Sequence, residues 1–136
     1  MMEGFGFSGR VHKVEAARLT GVTNEQRDRG CAIYLIAGKG ISAKAGFFDA
    51  VRGTFPLDPP LEGRPVWDAL ADSLVGGLVL TEARCLAMVW EDSSNMERET
   101  PTDFDIAVRI LDHVATQLSN PKFTNGKIFD VHVYLA

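Results

Sequence analysis

The chain has 136 residues, 46% of them hydrophobic, and a formal net charge of −4. This size predicts one domain with a sizeable core, and no apolar run approaches the roughly 20 residues that a membrane span needs. The formal net charge is +3 for residues 1–55 and −7 for residues 56–136. The acidic second part disfavours direct binding to nucleic acid and favours a basic protein partner.

The first third of the chain predicts two strands, separated by a polar segment and followed by a helix. Residues 11–22 alternate in part and predict a strand, whereas residues 24–30 are polar and predict a connector or hairpin loop. The apolar run at residues 31–37, closed by glycines, is typical of a strand buried on both faces. Ser42 is the predicted N-cap of the next helix, whose apolar residues are Phe47, Phe48 and Val51.

The middle of the chain predicts a loop, a helix and a second strand. Residues 54–65 contain four prolines and predict a loop, and Pro65 suits the first turn of the following helix. Gly76-Gly77 is the predicted end of that helix. Residues 85–90 predict a buried strand, and residues 91–100 a polar loop.

A long helix is predicted to begin at Thr100 and Pro101, which suit its N-cap and first position. Residues 119–127 predict a turn, and residues 129–135 the last strand. The apolar stripe of the helix consists of Phe104, Val108, Leu111, Ala115 and Leu118.

Strands that alternate with helices imply a mainly parallel sheet. The predicted fold is α/β, with a three-stranded mainly parallel sheet at residues 31–37, 85–90 and 129–135 packed with helices. Residues 1–30 are expected to add a strand or hairpin to the same domain as residues 31–136.

The residue types that usually carry catalysis or bind metals are scattered. Cys31 and Cys85 are each the first residue of a predicted strand and are expected to be buried, reduced thiols. His12, His113 and His132 lack metal-ligand spacing, and His132 fits a hydrogen-bonded structural histidine. The sequence therefore predicts no catalysis, no metal and no cofactor, and the absence of a signal-peptide pattern predicts a cytoplasmic protein.

The segment at residues 67–74 predicts a helix with one acidic side. At about 100° per residue, Val66, Leu70 and Leu74 share one stripe, and Asp68 and Asp72 lie nearly opposite. Two like charges at this spacing destabilise a helix by about 0.2–0.5 kcal/mol. The pair is explained either by a solvated helix face or by a cationic partner.

This segment and its surroundings resemble the barstar family, small cytoplasmic proteins that inhibit barnase-type ribonucleases. The resemblance covers residues 32–136 and implies an α/β fold and inhibition without catalysis. In this family an acidic helix and the loop before it block the basic active site of the enzyme. The motif that carries the resemblance is DAL-x-D-x-L, formed by Asp68, Ala69, Leu70, Asp72 and Leu74.

The resemblance assigns roles to single positions. It implies that Asp72 is the aspartate that blocks the active site and that Asp68 is the acidic residue one turn earlier. Gly63 corresponds to the loop glycine that presents its backbone to the enzyme. A partner-contacting glutamate of the later helix corresponds to either Asp112 or His113.

Other positions of the same surface depart from the family pattern. Leu61 and Glu62 stand where an aromatic residue usually precedes the loop glycine, and Ala71 replaces a partner-contacting tryptophan. Trp67 suits core packing at least as well as partner contact. An ordinary barnase is therefore not the expected target.

The resulting function hypothesis is an inhibitor of a basic ribonuclease or toxin-type nuclease, with an immunity-type role. The alternative is a non-catalytic interaction module that kept the fold and lost nuclease binding, which the missing aromatics favour. An enzyme that uses a crevice at the sheet edge has only fold-level analogy behind it.

Overall fold

The structure, a computed structural model, describes residues 9–136. These residues form a four-stranded sheet in which every pair of neighbouring strands is parallel. The strands are β1 (Val11–Lys13), β2 (Ala32–Ala37), β3 (Cys85–Glu91) and β4 (Asp130–Leu135), and their spatial order is β1-β4-β3-β2. The positions of the three predicted strands are thus confirmed within an α/β fold, but the sheet has four strands, not three. The prediction that residues 31–37 form a strand buried on both faces is wrong, because β2 is an edge strand in which Ile36 is buried while Leu35 is 47% exposed.

The additional strand comes from the N-terminal extension. It pairs with β4 from Val11 opposite Val133 to Lys13 opposite Leu135, so the described part of the extension, residues 9–30, adds an edge strand and no hairpin. The strand predicted over residues 11–22 is wrong beyond Lys13, because the chain then forms a short 3-10 turn and a helix.

That helix, α1 (Leu19–Asp28), also occupies most of the predicted polar connector. Its sheet-facing residues Leu19, Val22 and Gln26 are three and four positions apart, a helical spacing that the polar residues between them conceal. Leu19 packs with Ala87 of β3 on the second face of the sheet. Because α1 connects β1 at one edge to β2 at the other, it crosses the sheet and covers this face.

The main core lies on the opposite face, beneath α2 (Lys44–Thr54), α3 (Trp67–Leu78) and α5 (Pro101–Leu118). The helix predicted to begin at Thr100 and Pro101 is confirmed, and every residue of its predicted stripe is buried. Among residues 9–136, no helix is both long and apolar enough to cross a bilayer. The largest fully buried side chains include Trp90, Phe47, Phe48, Leu70, Leu74 and Met88.

Two local predictions in this layer are wrong. Helix α2 begins at Lys44 with Ala43 as its N-cap, and the Ser42 carbonyl instead accepts a 2.7 Å hydrogen bond from the Thr100 hydroxyl. The predicted loop at residues 91–100 contains a short helix, α4 (Ser94–Glu99), which the fully buried Met96 anchors in the core. Both outcomes depend on contacts between segments that are distant in the chain.

The glycine pair of α3 does not end the helix, which continues to Leu78. The carbonyl of Pro56 lies against Gly77 and the carbonyl of Asp58 against Gly76, so closely that a Cβ at either position would collide with backbone. These glycines therefore allow the preceding loop to cross directly over the helix.

The cysteines form a disulfide between Cys31 and Cys85, with 4.4 Å between their Cα atoms, so the expectation of reduced thiols is wrong. The register of the sheet explains the pairing. Ala32 lies opposite Leu86, which places the residues just before them side by side. The sequence shows two strand starts, but only the register brings them together.

Candidate partner-binding surface

Helix α3 presents both aspartates on its exposed side. Asp68 lies in the first turn, where the positive end of the helix dipole favours a carboxylate, and Asp72 lies one turn later. Leu70 and Leu74 on the other side are completely buried and fix the helix to the core. Within residues 9–136, neither Asp68 nor Asp72 has an ion-pair or hydrogen-bond partner, so both carboxylates are open to a partner molecule.

Trp67 at the start of α3 packs against two core rings. The centroid of the Trp67 ring lies 5.1 Å from that of Phe48 and 6.1 Å from that of Phe47. Lys44 Nζ lies 5.3 Å from the Trp67 ring centroid. The indole is half-buried. Its ring contacts with Phe47 and Phe48 are those of a core residue, and the side chain remains partly exposed to solvent.

The loop at residues 55–66 places the remaining predicted positions beside the helix. Glu62 and Gly63 are exposed, and Gly63 has a φ of 76°, a left-handed conformation that favours glycine. Leu61 and Ala71, which replace the expected aromatics, are half-buried against the core. The exposed polar part of this surface thus comprises Glu62, Gly63, Arg64 and the two aspartates, so it carries one cation among its acidic groups.

A groove of about 200 Å³ separates this loop from α3. Val66 contributes apolar area to it and is 47% exposed, so its predicted place on the buried stripe is wrong. The reason is its extended backbone, since Val66 precedes the first helical residue and does not follow the helical rotation. The groove is lined by Pro59, Pro60, Leu61, Glu62, Arg64, Val66, Ala69, Asp72 and Ser73.

The sequence analysis did not identify Arg52, which lies in the last turn of α2 and forms hydrogen bonds with the loop backbone. Its Nε donates a 2.8 Å hydrogen bond to the carbonyl of Leu61, and a terminal nitrogen donates one of 3.2 Å to the carbonyl of Gly63. A second loop contact joins Asp58 N–H to the Ser73 carbonyl at 3.0 Å. No local pattern marks Arg52, because its partners are backbone atoms.

The remaining candidates lie on other elements. His132 accepts or donates a hydrogen bond with His12 and lies 3.0 Å from an Asp130 oxygen, as a structural histidine would. Asp112 and His113 both belong to α5, where His113 is exposed and Asp112 half-buried. The described part of the chain contains no group of three or more His, Cys, Asp or Glu side chains that could hold a metal ion.

Comparison with known families identifies residues 31–133 as a match to the model described as Barstar (barnase inhibitor). The chain belongs to the barstar family. The match contains the loop, α3 and both aspartates, as well as strands β2 and β3 and the first four residues of β4. No curated protein and no solved structure matches the chain. The matched range therefore includes the loop at residues 55–66 and all of α3, while β1 and α1 lie outside it.

Proposed function

We propose that this barstar-family protein inhibits a ribonuclease by inserting the acidic side of α3 and the adjoining loop into the enzyme's basic active site. The observation that carries the proposal is the exposure of Asp68 and Asp72, both without an internal partner, on a helix whose other side is buried. Family membership supports the class of partner, since the family description names an inhibitor of barnase.

Electrostatics supply the driving force. A ribonuclease active site holds cationic side chains for the substrate phosphate, and a carboxylate that meets an arginine there forms short, charge-assisted hydrogen bonds. Asp68 and Asp72 repel each other in the free protein, and cations of the partner relieve that repulsion. The acidic balance of residues 56–136 also accelerates the encounter with a basic protein.

The shape of the surface supports inhibition by occlusion, without chemistry. Helix α3 is anchored by fully buried leucines, so the carboxylates are presented by a rigid element. The groove beside Asp72 offers apolar area from Val66 and Ala69 to the aliphatic part of a basic side chain. Because Leu61 and Ala71 lack the expected aromatic rings, we propose a target other than an ordinary barnase.

We further propose that residues 1–30 and 31–136 form one domain, since β1 pairs with β4 and α1 covers the sheet. An immunity-type role in the cytoplasm is part of the proposal. Disulfides are rare in the reducing cytosol, so the redox state of Cys31 and Cys85 in the cell tests the proposed compartment.

The decisive experiment captures partners of the tagged protein from its own cells and titrates any basic nuclease against RNA cleavage. Wild type is compared with Asp72→Ala and with Asp28→Ala, which removes an exposed aspartate from α1 on the other side of the sheet. We expect Asp72→Ala to weaken inhibition by about 30-fold or more, the usual effect of truncating one partner of a desolvated charge pair. Asp28→Ala should inhibit like the wild type.

Binding should also weaken as salt is added, because the charges attract across solvent before contact. Capture of a partner that is not a nuclease would favour the interaction-module alternative. Equal inhibition by wild type and Asp72→Ala would remove α3 from the mechanism.

A further inference from the structure

The loop that adjoins α3 has no regular secondary structure between Phe55 and Val66. A loop of this kind loses conformational freedom when it binds, and that loss weakens the complex unless the free protein already holds it in place. The question is which side chain restrains the exposed part of the loop, since Glu62 and Gly63 extend into solvent.

Arg52 is placed to do this. It contacts two carbonyls of the loop that are two residues apart, Leu61 O at 2.8 Å and Gly63 O at 3.2 Å. Its third contact, a 3.1 Å ion pair with Asp49 one turn earlier on α2, fixes the guanidinium itself. The carbon at the centre of the guanidinium lies 5.9 Å from the ring centroid of Phe48, which is completely buried.

This arrangement ties the loop to the core through one planar group. The guanidinium presents its donors in a fixed fork, and a carbonyl that accepts from a charged donor forms a stronger bond than one that accepts from a neutral donor. The side chain of Arg52 is only 30% exposed. Solvent therefore competes less for the half-buried hydrogen bond to Leu61 than for the exposed one to Gly63.

We propose that Arg52 is the positioning residue of the inhibitory surface. It holds Leu61, Glu62 and Gly63 beside Asp72 in the conformation that binds the nuclease, and it need not touch the nuclease itself. The inference rests on the proposed function, because it assigns to Arg52 a role in that same surface. Its physical content is preorganisation, which strengthens binding by reducing the ordering that accompanies it.

The first measurement concerns the free protein and needs no nuclease. Backbone NMR order parameters of Glu62, Gly63 and Arg64 are compared in wild type, Arg52→Met and Arg52→Lys. Lysine keeps the charge but lacks the fork, so it provides a milder change if the methionine variant folds poorly. We expect these order parameters to fall from about 0.85 toward 0.6 or below in Arg52→Met, with α3 unchanged.

The second measurement is inhibition of RNA cleavage by the ribonuclease that wild type captures, at a temperature where all variants are folded. Arg27→Met is the matched control, since Arg27 is an exposed arginine of α1 whose side chain, within residues 9–136, bonds only to the nearby Asn24. We expect Arg52→Met to inhibit about tenfold less strongly, Arg52→Lys to be intermediate, and Arg27→Met to match wild type.

The outcomes separate the two proposals. An unchanged loop order parameter in Arg52→Met would overturn the positioning role, whatever the nuclease data show. A mobile loop with undiminished inhibition would overturn it as well, because the restraint would then have no use in binding. If the wild type captures and inhibits no nuclease, the proposed function fails, and the role of Arg52 in inhibition fails with it even if the loop becomes mobile.

Discussion

His12 on the edge strand β1 and His132 on the neighbouring β4 share a hydrogen bond, with 3.1 Å between Nε2 of the first ring and Nδ1 of the second. His12 also stacks on Tyr134, at 5.1 Å between ring centroids. Asp130 contacts the other nitrogen of His132 at 3.0 Å. Burial, and then the neighbouring His132, lower the pKa of His12 below its ordinary value of 6.5.

This lowered pKa predicts that the protein loses stability in mild acid. Below about pH 6.5 the unfolded chain takes up a proton at His12 more readily than the folded protein does, so the free energy of unfolding falls. The loss continues until the pH passes below the folded-state pKa and then levels off. Urea denaturation between pH 7.5 and 5 measures it. His12→Gln should flatten this part of the profile, and an unchanged profile in that variant would contradict the role of His12.

The close crossing of the loop over α3 predicts that replacing a helical glycine by alanine changes stability very differently at Gly77 and at Gly53. Gly77→Ala inserts a methyl group against the Pro56 carbonyl and should lower the free energy of unfolding by about 1–3 kcal/mol. Gly53→Ala in α2 is the control, since no atom beyond its chain neighbours and its own helix lies within 4 Å of the new Cβ. It should be neutral or stabilise by up to about 1 kcal/mol. Chemical denaturation compares the two, and equal effects would show that the crossing is not tight.

The Cys31–Cys85 disulfide closes a loop between residues 54 positions apart. Reduction should therefore lower the free energy of unfolding by about 2–4 kcal/mol. The measurement is thermal or urea unfolding with and without a reductant, and the double variant Cys31→Ala, Cys85→Ala should unfold alike in both conditions. Rapid labelling of native, unreduced protein by a thiol reagent would contradict the disulfide directly.

The acidic pair of α3 predicts that function and stability oppose each other. Asp72→Asn removes the repulsion between Asp68 and Asp72 and should raise the free energy of unfolding by about 0.2–0.5 kcal/mol while nuclease inhibition falls. Asp105→Asn is the matched control on α5, where the carboxylate pairs with Arg109 at 2.8 Å. This substitution should instead destabilise by a few tenths of a kcal/mol. Urea denaturation at low salt measures whether the free energy of unfolding rises in Asp72→Asn and falls in Asp105→Asn. A loss of stability in Asp72→Asn would mean that Asp72 makes a favourable interaction within the protein.

Local periodicity determined several parts of this protein in advance. The positions of strands β2, β3 and β4 follow from short apolar runs, although the run of β2 did not show that this strand lies at the edge of the sheet. The buried stripe of α5 follows from helical spacing. The acidic side of α3 follows in the same way, because the rotation per residue fixes which side chains share a face. A pattern of this kind depends only on neighbours within a few turns, so it can be interpreted without the fold.

Tertiary structure alone decided the features that join distant segments. The register of β2 and β3 paired Cys31 with Cys85, and the packing of α1 on the sheet converted a predicted loop into a helix. The close crossing at Gly77 and the contacts of Arg52 with loop carbonyls also depend on backbone from elsewhere in the chain. Backbone atoms are alike at every residue, so no sequence pattern records which carbonyl a distant side chain will meet.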